Sequence, residues 1–148
     1  MQTRLMVTRP NPSSGVSLGE FGAVIEILKD LHADGRPEED LPRRLPAWLL
    51  SAFALEMNLD EKAAWLSRWR GASAEEKAVL ERDRGWELLQ WLYWFVSDEV
   101  PWRLSGAELV GYRLMIYIDQ DDDPVPMGAL EWTVGVAGLT IDSVDRIY

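Results

Sequence analysis

The residue types best suited to chemistry stand together in one acidic run at the end of a predicted strand. Carboxylates at alternate positions are the ligands that calcium-binding loops use, and Asp119, Asp121 and Asp123 match the first three ligand positions of such a loop. The match then fails, because Pro124 stands where glycine makes the sharp turn and no carboxylate occupies the last ligand position. We interpret the run as a solvated acidic turn, with a Mg²⁺ or Ca²⁺ site at Asp119, Asp121 and Asp123 as the alternative.

The residue inventory gives little support for nucleophilic or acid–base catalysis. The chain has no cysteine and a single histidine, His32, so a thiolate nucleophile and a pair of imidazole ligands are both excluded. His32 falls in the last turn of a predicted helix, where the helix dipole favours an imidazolium without any catalytic role. We therefore expect no catalytic residue and no cofactor. The enzymatic alternative is a metal-dependent hydrolase with its site at residues 119–123.

The second candidate surface is a tryptophan-rich helix predicted over residues 86–96. The chain contains eight tryptophans, and three of them lie within nine positions here. At about 100° per residue, Glu87, Gln90 and Trp94 share one stripe of this helix. An exposed tryptophan beside carboxylates is typical of a protein-interaction surface, whereas the alternative is that another element covers Trp94. The predicted partner-binding residues are Glu87, Gln90, Trp94, Asp98 and Glu99.

A second aromatic pair, Trp65 and Trp69, lies one helical turn apart. We expect both rings to pack beneath neighbouring helices. Arg68 and Arg70 flank Trp69, an arrangement that can stack nucleic-acid bases. Residues two apart on a helix point roughly 160° away from each other, however, so these two arginines do not form one patch. With a net charge of −10, the chain is expected not to bind nucleic acid.

Length, charge and hydropathy predict a single cytoplasmic domain spanning residues 1–148. A chain of 148 residues is long enough to bury a core without a metal or disulfide. Its 25 acidic and 15 basic side chains would steer it toward basic partners. The first apolar run is shorter than the roughly 7–15 residues of an export signal, and no later run reaches the length of a membrane span. We therefore expect no membrane partner.

The elements that position these residues predict an α+β fold. A layer of about four to five helices packs with a small C-terminal sheet that the N-terminal strand joins. Residues 127–137 fit either a helix or a hairpin strand, and Pro126 and Gly138 favour the helix. With a helix, a β-α-β unit is possible there; with a strand, the region is an antiparallel meander. The other predicted elements are strands at 3–8, 109–118 and 139–148, helices at 17–34, 46–57, 60–71, 73–82 and 86–96, and a surface loop at 36–44. The predicted N-caps are Ser17, Asp60 and Ser73. The side chains predicted to face the core are Phe21, Val24, Ile25, Leu28 and Leu31 of the first helix and Leu88, Leu89, Leu92 and Val96 of the last.

These features together predict a non-catalytic protein-interaction module. Its partner is another protein or a second copy of the chain, and an inhibitor or immunity-type protein that neutralises a basic site fits the size and charge. The alternative function is binding of a small ligand or divalent ion at residues 119–123. The two hypotheses place the functional surface on different parts of the fold.

Overall fold

The described chain combines seven helices with one antiparallel sheet of four strands. A computed structural model describes residues 2–10, 15–34, 41–54, 57–121 and 127–147. The α+β class predicted from the sequence is therefore confirmed. In chain order the elements are β1 (Gln2–Thr8), α1 (Leu18–Asp34), α2 (Leu41–Arg44), α3 (Ala47–Leu50), α4 (Leu59–Arg70), α5 (Ala74–Arg84), α6 (Leu88–Val96), β2 (Trp102–Val110), β3 (Arg113–Gln120), α7 (Gly128–Val136) and β4 (Thr140–Ile147).

The N-terminal strand β1 lies inside the sheet, whose strand order is β2-β3-β1-β4. β1 pairs antiparallel with both β3 and β4, so Leu5 lies opposite Ile116 on one side and Val144 on the other. Burial alternates along β1 and β3, as expected for strands with one face on the core. β3 and β4 consequently point the same way but do not pair directly. The possible β-α-β unit therefore does not form a neighbouring parallel pair.

The single strand predicted at residues 109–118 is wrong, because the chain turns back at Gly111 and Tyr112. β2 and β3 form a hairpin in which Val110 pairs with Arg113. Gly111 has a φ of 60°, the left-handed value that the first position of this kind of two-residue turn requires. Apolar residues continue at alternate positions through the turn, so the sequence pattern gives no sign of the reversal.

Helix α1 covers the inner face of the sheet and supplies one side of the core. Its predicted cap is confirmed, since the Glu20 backbone N–H donates to Ser17 Oγ at 3.1 Å. The predicted apolar stripe is confirmed as well. Each large side chain buried here stabilises the fold by roughly 1.5–3 kcal/mol relative to exposure. The buried residues of the stripe are Phe21, Val24, Ile25, Leu28 and Leu31.

Trp91 of α6 lies at the centre of an aromatic cluster in the core. Its ring is fully buried and lies 4.7 Å from Phe95 between centroids. The indole Nε1–H donates to Thr133 Oγ1 on α7 at 2.7 Å, and that hydroxyl donates to the Ala129 carbonyl, also at 2.7 Å. The helical interpretation of residues 127–137 is confirmed, because α7 spans Gly128–Val136. Leu89, predicted to face the core, is instead 61% exposed, because the α6 face bearing Trp91 turns inward.

The Trp91–Thr133 hydrogen bond gives a first testable prediction. The variant Thr133→Val keeps the shape of the side chain but leaves the buried indole N–H without its acceptor. We expect the free energy of unfolding, measured by urea denaturation, to fall by about 1–3 kcal/mol. Thr140→Val, on the exposed side of β4, is the matched control and should change stability little. Equal effects of the two variants would show that the hydrogen bond is unimportant.

The middle of the chain departs most from the predicted helix boundaries. The helix expected over 46–57 is limited to α3, with Pro46 as its N-cap, and residues 55–56 lie outside the described ranges. Asn58, not Asp60, caps α4, because its side chain accepts the Glu61 N–H at 2.8 Å. Within the predicted loop at 36–44, four residues form α2. Ser73 caps α5 as predicted.

Candidate functional site

Helices α4 and α5 form a hairpin that stands apart from the core. Neither helix contains a buried residue, although both carry apolar side chains. Leu59 is 85% exposed, and Leu66 and Val79 are also exposed. Most helical stability in proteins comes from packing an apolar face against the rest of the fold. A hairpin without buried residues therefore presents a packing surface that the described chain does not cover.

A groove of about 770 Å³ lies between this hairpin and the body of the protein. Its walls carry three indole rings, Trp65 from α4, Trp86 before α6 and Trp132 from α7. Met57, Leu66 and Ala78 add apolar surface, and charged side chains stand among them. A concave, mainly apolar surface with a few polar groups is the usual form of a binding site. We call this surface the hairpin groove.

The two hairpin helices present matching rows of side chains to the groove. On α4 the row is Lys62, Trp65 and Leu66, and on α5 it is Ala78, Glu81 and Arg82. Both rows follow the spacing i, i+3 and i+4, which brings side chains onto one face of a helix. Such rows are the ridges between which another helix packs.

The base of the hairpin is fastened to the body by Glu87. One carboxylate oxygen, Oε1, accepts the backbone N–H of Met57 at 3.3 Å and also pairs with the Arg84 guanidinium. The side chains of Arg84 and Glu87 are 18% and 13% exposed, so the pair is largely shielded from water. The Ala54 N–H donates to the Trp86 carbonyl at 2.9 Å beside it. We call these contacts the neck.

Contacts around Trp69 hold α4 against α5. The Trp69 indole Nε1–H donates to Glu81 Oε1 at 3.1 Å, and Lys77 Nζ lies 4.3 Å from the centre of the same ring. A cation over an indole face contributes about 0.5–1 kcal/mol at an exposed site. Trp65 and Trp69 are both half-buried, and Trp69 packs against the neighbouring helix α5 as expected. Trp65 instead faces the groove.

The five predicted partner-binding residues do not form one patch. Glu87 and Gln90 line the hairpin groove, whereas Trp94 is half-buried against the core and lies outside the lining. Asp98 is 94% exposed and stands 3.3 Å from His32 Nε2. Glu99 accepts a hydrogen bond from the Tyr93 hydroxyl at 3.1 Å. Their role in partner binding stays a prediction, carried best by the two residues in the groove.

Sequence reasoning missed Trp86 and Trp132 as groove walls and misplaced Trp65. Trp132 comes from α7, far along the chain from α4, so only the folded arrangement brings these rings to one surface. A local signal did exist for α4. Its sequence is strongly charged yet contains two tryptophans, and a polar helix with large aromatic side chains indicates a presented face.

The acidic turn lies at one end of the sheet, away from the groove lining. Asp119 accepts a hydrogen bond from Gln2 Nε2 at 3.4 Å, and Asp121 is exposed. Asp123 lies outside the described residues. Asp119 and Asp121 line a polar cleft of about 620 Å³ that also contains His32 and Asp98. Among the described residues, no three histidine, aspartate or glutamate side chains lie close enough together to hold a metal ion.

The divalent-ion alternative makes a separate prediction. An ion present at ten times its dissociation constant stabilises the fold by about 1.4 kcal/mol, which raises the melting temperature by roughly 3–6 °C. Under this alternative, millimolar Ca²⁺ or Mg²⁺ raises the melting temperature, and the double variant Asp121→Asn, Asp123→Asn removes the rise. A thermal melt that does not respond to either ion would end the hypothesis.

None of the described helices combines the length and hydropathy that crossing a bilayer needs. Comparison of the whole chain with protein families, curated proteins and solved structures finds no match.

Proposed function

We propose that this protein is an interaction module that binds a helical segment of a partner protein in the hairpin groove. The observation that carries the proposal is that α4 and α5 turn matching side-chain rows toward a groove with three indole walls and contain no buried residue. Binding an amphipathic helix in a groove is a common mode of protein recognition. The proposal moves the predicted aromatic surface from Trp94 to the groove.

The composition of the groove favours a helix as its occupant. All of its lining residues belong to helices or to the connections between helices, so the groove offers no strand edge to which an extended peptide adds. One face of a helix presents about three to four apolar side chains per two turns. Indole rings are enriched among the residues that contribute most to protein binding, and removing one commonly costs about 2 kcal/mol or more.

The proposed binding mode suits an inhibitor or immunity-type protein. Inhibitor and immunity-type proteins act by occupying a partner, and a small module that presents a groove on one hairpin suits that role. The cytoplasmic location predicted from the sequence is compatible with it and stays a prediction. Self-association is the rival, with α4 or α5 of a second copy as the docked helix.

A peptide-display selection tests the proposal and does not require the partner to be identified first. A random library of 16-residue peptides is selected on the wild-type protein, and enriched peptides are then assayed against two alanine-to-tryptophan variants. Ala78→Trp fills the groove from α5, whereas Ala64→Trp adds the same side chain on the opposite face of α4. Both positions are exposed, so neither substitution disturbs the core.

We expect enriched peptides to bind wild type and Ala64→Trp equally and to lose at least about tenfold in affinity for Ala78→Trp. Peptides that bind all three proteins alike would contradict the proposal, as would a selection without enrichment. Solution mass is measured in parallel. A wild-type dimer that Ala78→Trp converts to a monomer would show that the occupant is a second copy rather than another protein.

A further inference from the structure

We infer that the helix docked in the hairpin groove is acidic at the end nearest the neck. This inference rests on the proposed function and specifies the chemistry of the partner. It runs against the expectation from the net charge of −10, which favours basic partners. The charge of the docked helix depends on the charged side chains inside the groove.

Two cations in the groove are left without an anionic partner in the described part of the chain. Lys62 on α4 and Arg82 on α5 both line the groove, and neither side chain forms an ion pair or hydrogen bond with another described residue. Arg84, by contrast, is paired with Glu87 at the neck. The remaining lining anion, Glu81, accepts the indole N–H of Trp69. Three cations and two anions line the groove, so its lining carries a surplus of one positive charge.

The two cations stand at the same end of the groove. The contacts of Trp69 with Lys77 and Glu81 show that the end of α4 lies beside α5, so the helices run antiparallel. Lys62 is in the first turn of α4 and Arg82 is in the last turn of α5, which places both toward the neck. Trp65, Leu66 and Ala78 continue the surface away from that end. An apolar helix with carboxylates at one end complements this arrangement.

Because salt screens distant charges, the charges near the groove affect a docked peptide more than the net charge of the whole chain does. At an ionic strength of 0.15 M the Debye length is about 8 Å, so exposed charges further away act weakly. Many of the acidic residues lie elsewhere in the chain, including the run that begins at Asp119. Asp60, Glu61 and Asp83 are neighbours of the two cations in the chain but are not part of the groove lining. A carboxylate docked in the groove therefore pairs directly with Lys62 and Arg82, and each exposed pair contributes about 0.2–1 kcal/mol. The contribution is modest in size but sufficient to select between peptides.

The experiment compares the charge of the peptides selected by three proteins. One is wild type, the second is Lys62→Glu, Arg82→Glu, and the third is Arg68→Glu, Arg70→Glu. Both double variants change the net charge equally, but Arg68 and Arg70 lie outside the groove lining. Selection is carried out at 0.15 M salt from a library of balanced charge. One strongly enriched wild-type peptide is then resynthesised with its Glu and Asp replaced by Gln and Asn.

We expect acidic peptides from wild type and from Arg68→Glu, Arg70→Glu, and basic or neutral peptides from Lys62→Glu, Arg82→Glu. The neutral version of the wild-type peptide should bind about tenfold more weakly. Peptides selected on wild type that bind Ala78→Trp more weakly, but that are neutral or basic, would overturn this inference and leave the proposed function intact. If no enriched peptide is sensitive to Ala78→Trp, the proposed function itself fails.

Discussion

Replacing Trp91 by alanine is expected to lower the free energy of unfolding by about 3–5 kcal/mol, the usual cost of removing a buried tryptophan. The indole is fully buried, contacts Phe53 and Phe95, and donates a hydrogen bond to Thr133. Its removal opens a cavity and leaves the Thr133 hydroxyl without its donor. Natural domains are stable by only about 5–15 kcal/mol, so the variant should be near the limit of folding. Urea denaturation followed by circular dichroism measures the effect.

The matched variant is Trp65→Ala, which removes the same ring from the hairpin. Because α4 contains no buried residue, we expect a loss below about 1 kcal/mol. The two tryptophans thus separate folding from binding, since Trp65→Ala should weaken a selected peptide by about 30-fold or more while the protein stays folded. Similar stability losses for both variants would mean that the hairpin is part of the core, and the hairpin would then not be a presented surface.

The second large effect is expected at the neck. Glu87→Ala removes the acceptor of the Met57 N–H and the carboxylate that pairs with the largely buried Arg84 guanidinium. Breaking a charged hydrogen bond of this kind costs about 2 kcal/mol, which corresponds to roughly a 30-fold increase in opening of the hairpin. Hydrogen exchange resolved along the chain measures it. Amides of α4 and α5 should exchange faster, while those of α1 should not.

Glu87→Gln is the graded control for this prediction. The amide oxygen still accepts the Met57 N–H, but the ion pair with Arg84 is lost. We expect exchange in α4 and α5 to lie between wild type and Glu87→Ala. Unchanged exchange in both variants would show that contacts other than Glu87 hold the hairpin in place.

Local signals in the sequence were sufficient for most of the helices. Ser17 and Ser73 cap α1 and α5 because each places its hydroxyl at the backbone N–H three residues later, an arrangement set by neighbouring residues alone. Gly85 ends α5 with a φ of 71°, which only glycine adopts readily. The helical interpretation of residues 127–137 relied on similar terminal signals, and α7 confirms it.

The parts that the sequence did not predict depend on contacts between distant residues. The alternation of apolar residues continues through the hairpin turn at Gly111, so this pattern does not indicate the turn. The central position of β1 depends on pairing with strands more than a hundred residues away. On α6, apolar residues occupy nearly every side, so helical spacing does not reveal that the face bearing Trp91, Leu92 and Phe95 turns inward.

The candidate site shows the same division between local and distant information. The polar stripe of α6 was predicted from helical spacing, and Glu87 and Gln90 of that stripe do line the groove. Trp94 shares the spacing but lies half-buried against the core. Trp65 and Trp132 come from helices far apart in the sequence, and no periodicity connects them. Only the folded arrangement of the helices brings the residues of the groove together.

The most direct measurement of the central claim is an NMR titration of the indole N–H groups. All eight tryptophans lie in the described residues, so each reports on a known place in the fold. The protein is labelled with ¹⁵N at tryptophan, and a selected peptide is added. We predict that the signals of Trp65, Trp86 and Trp132 shift while that of the buried Trp91 does not. Shifts confined to Trp94, with the three groove signals unchanged, would contradict binding in the hairpin groove.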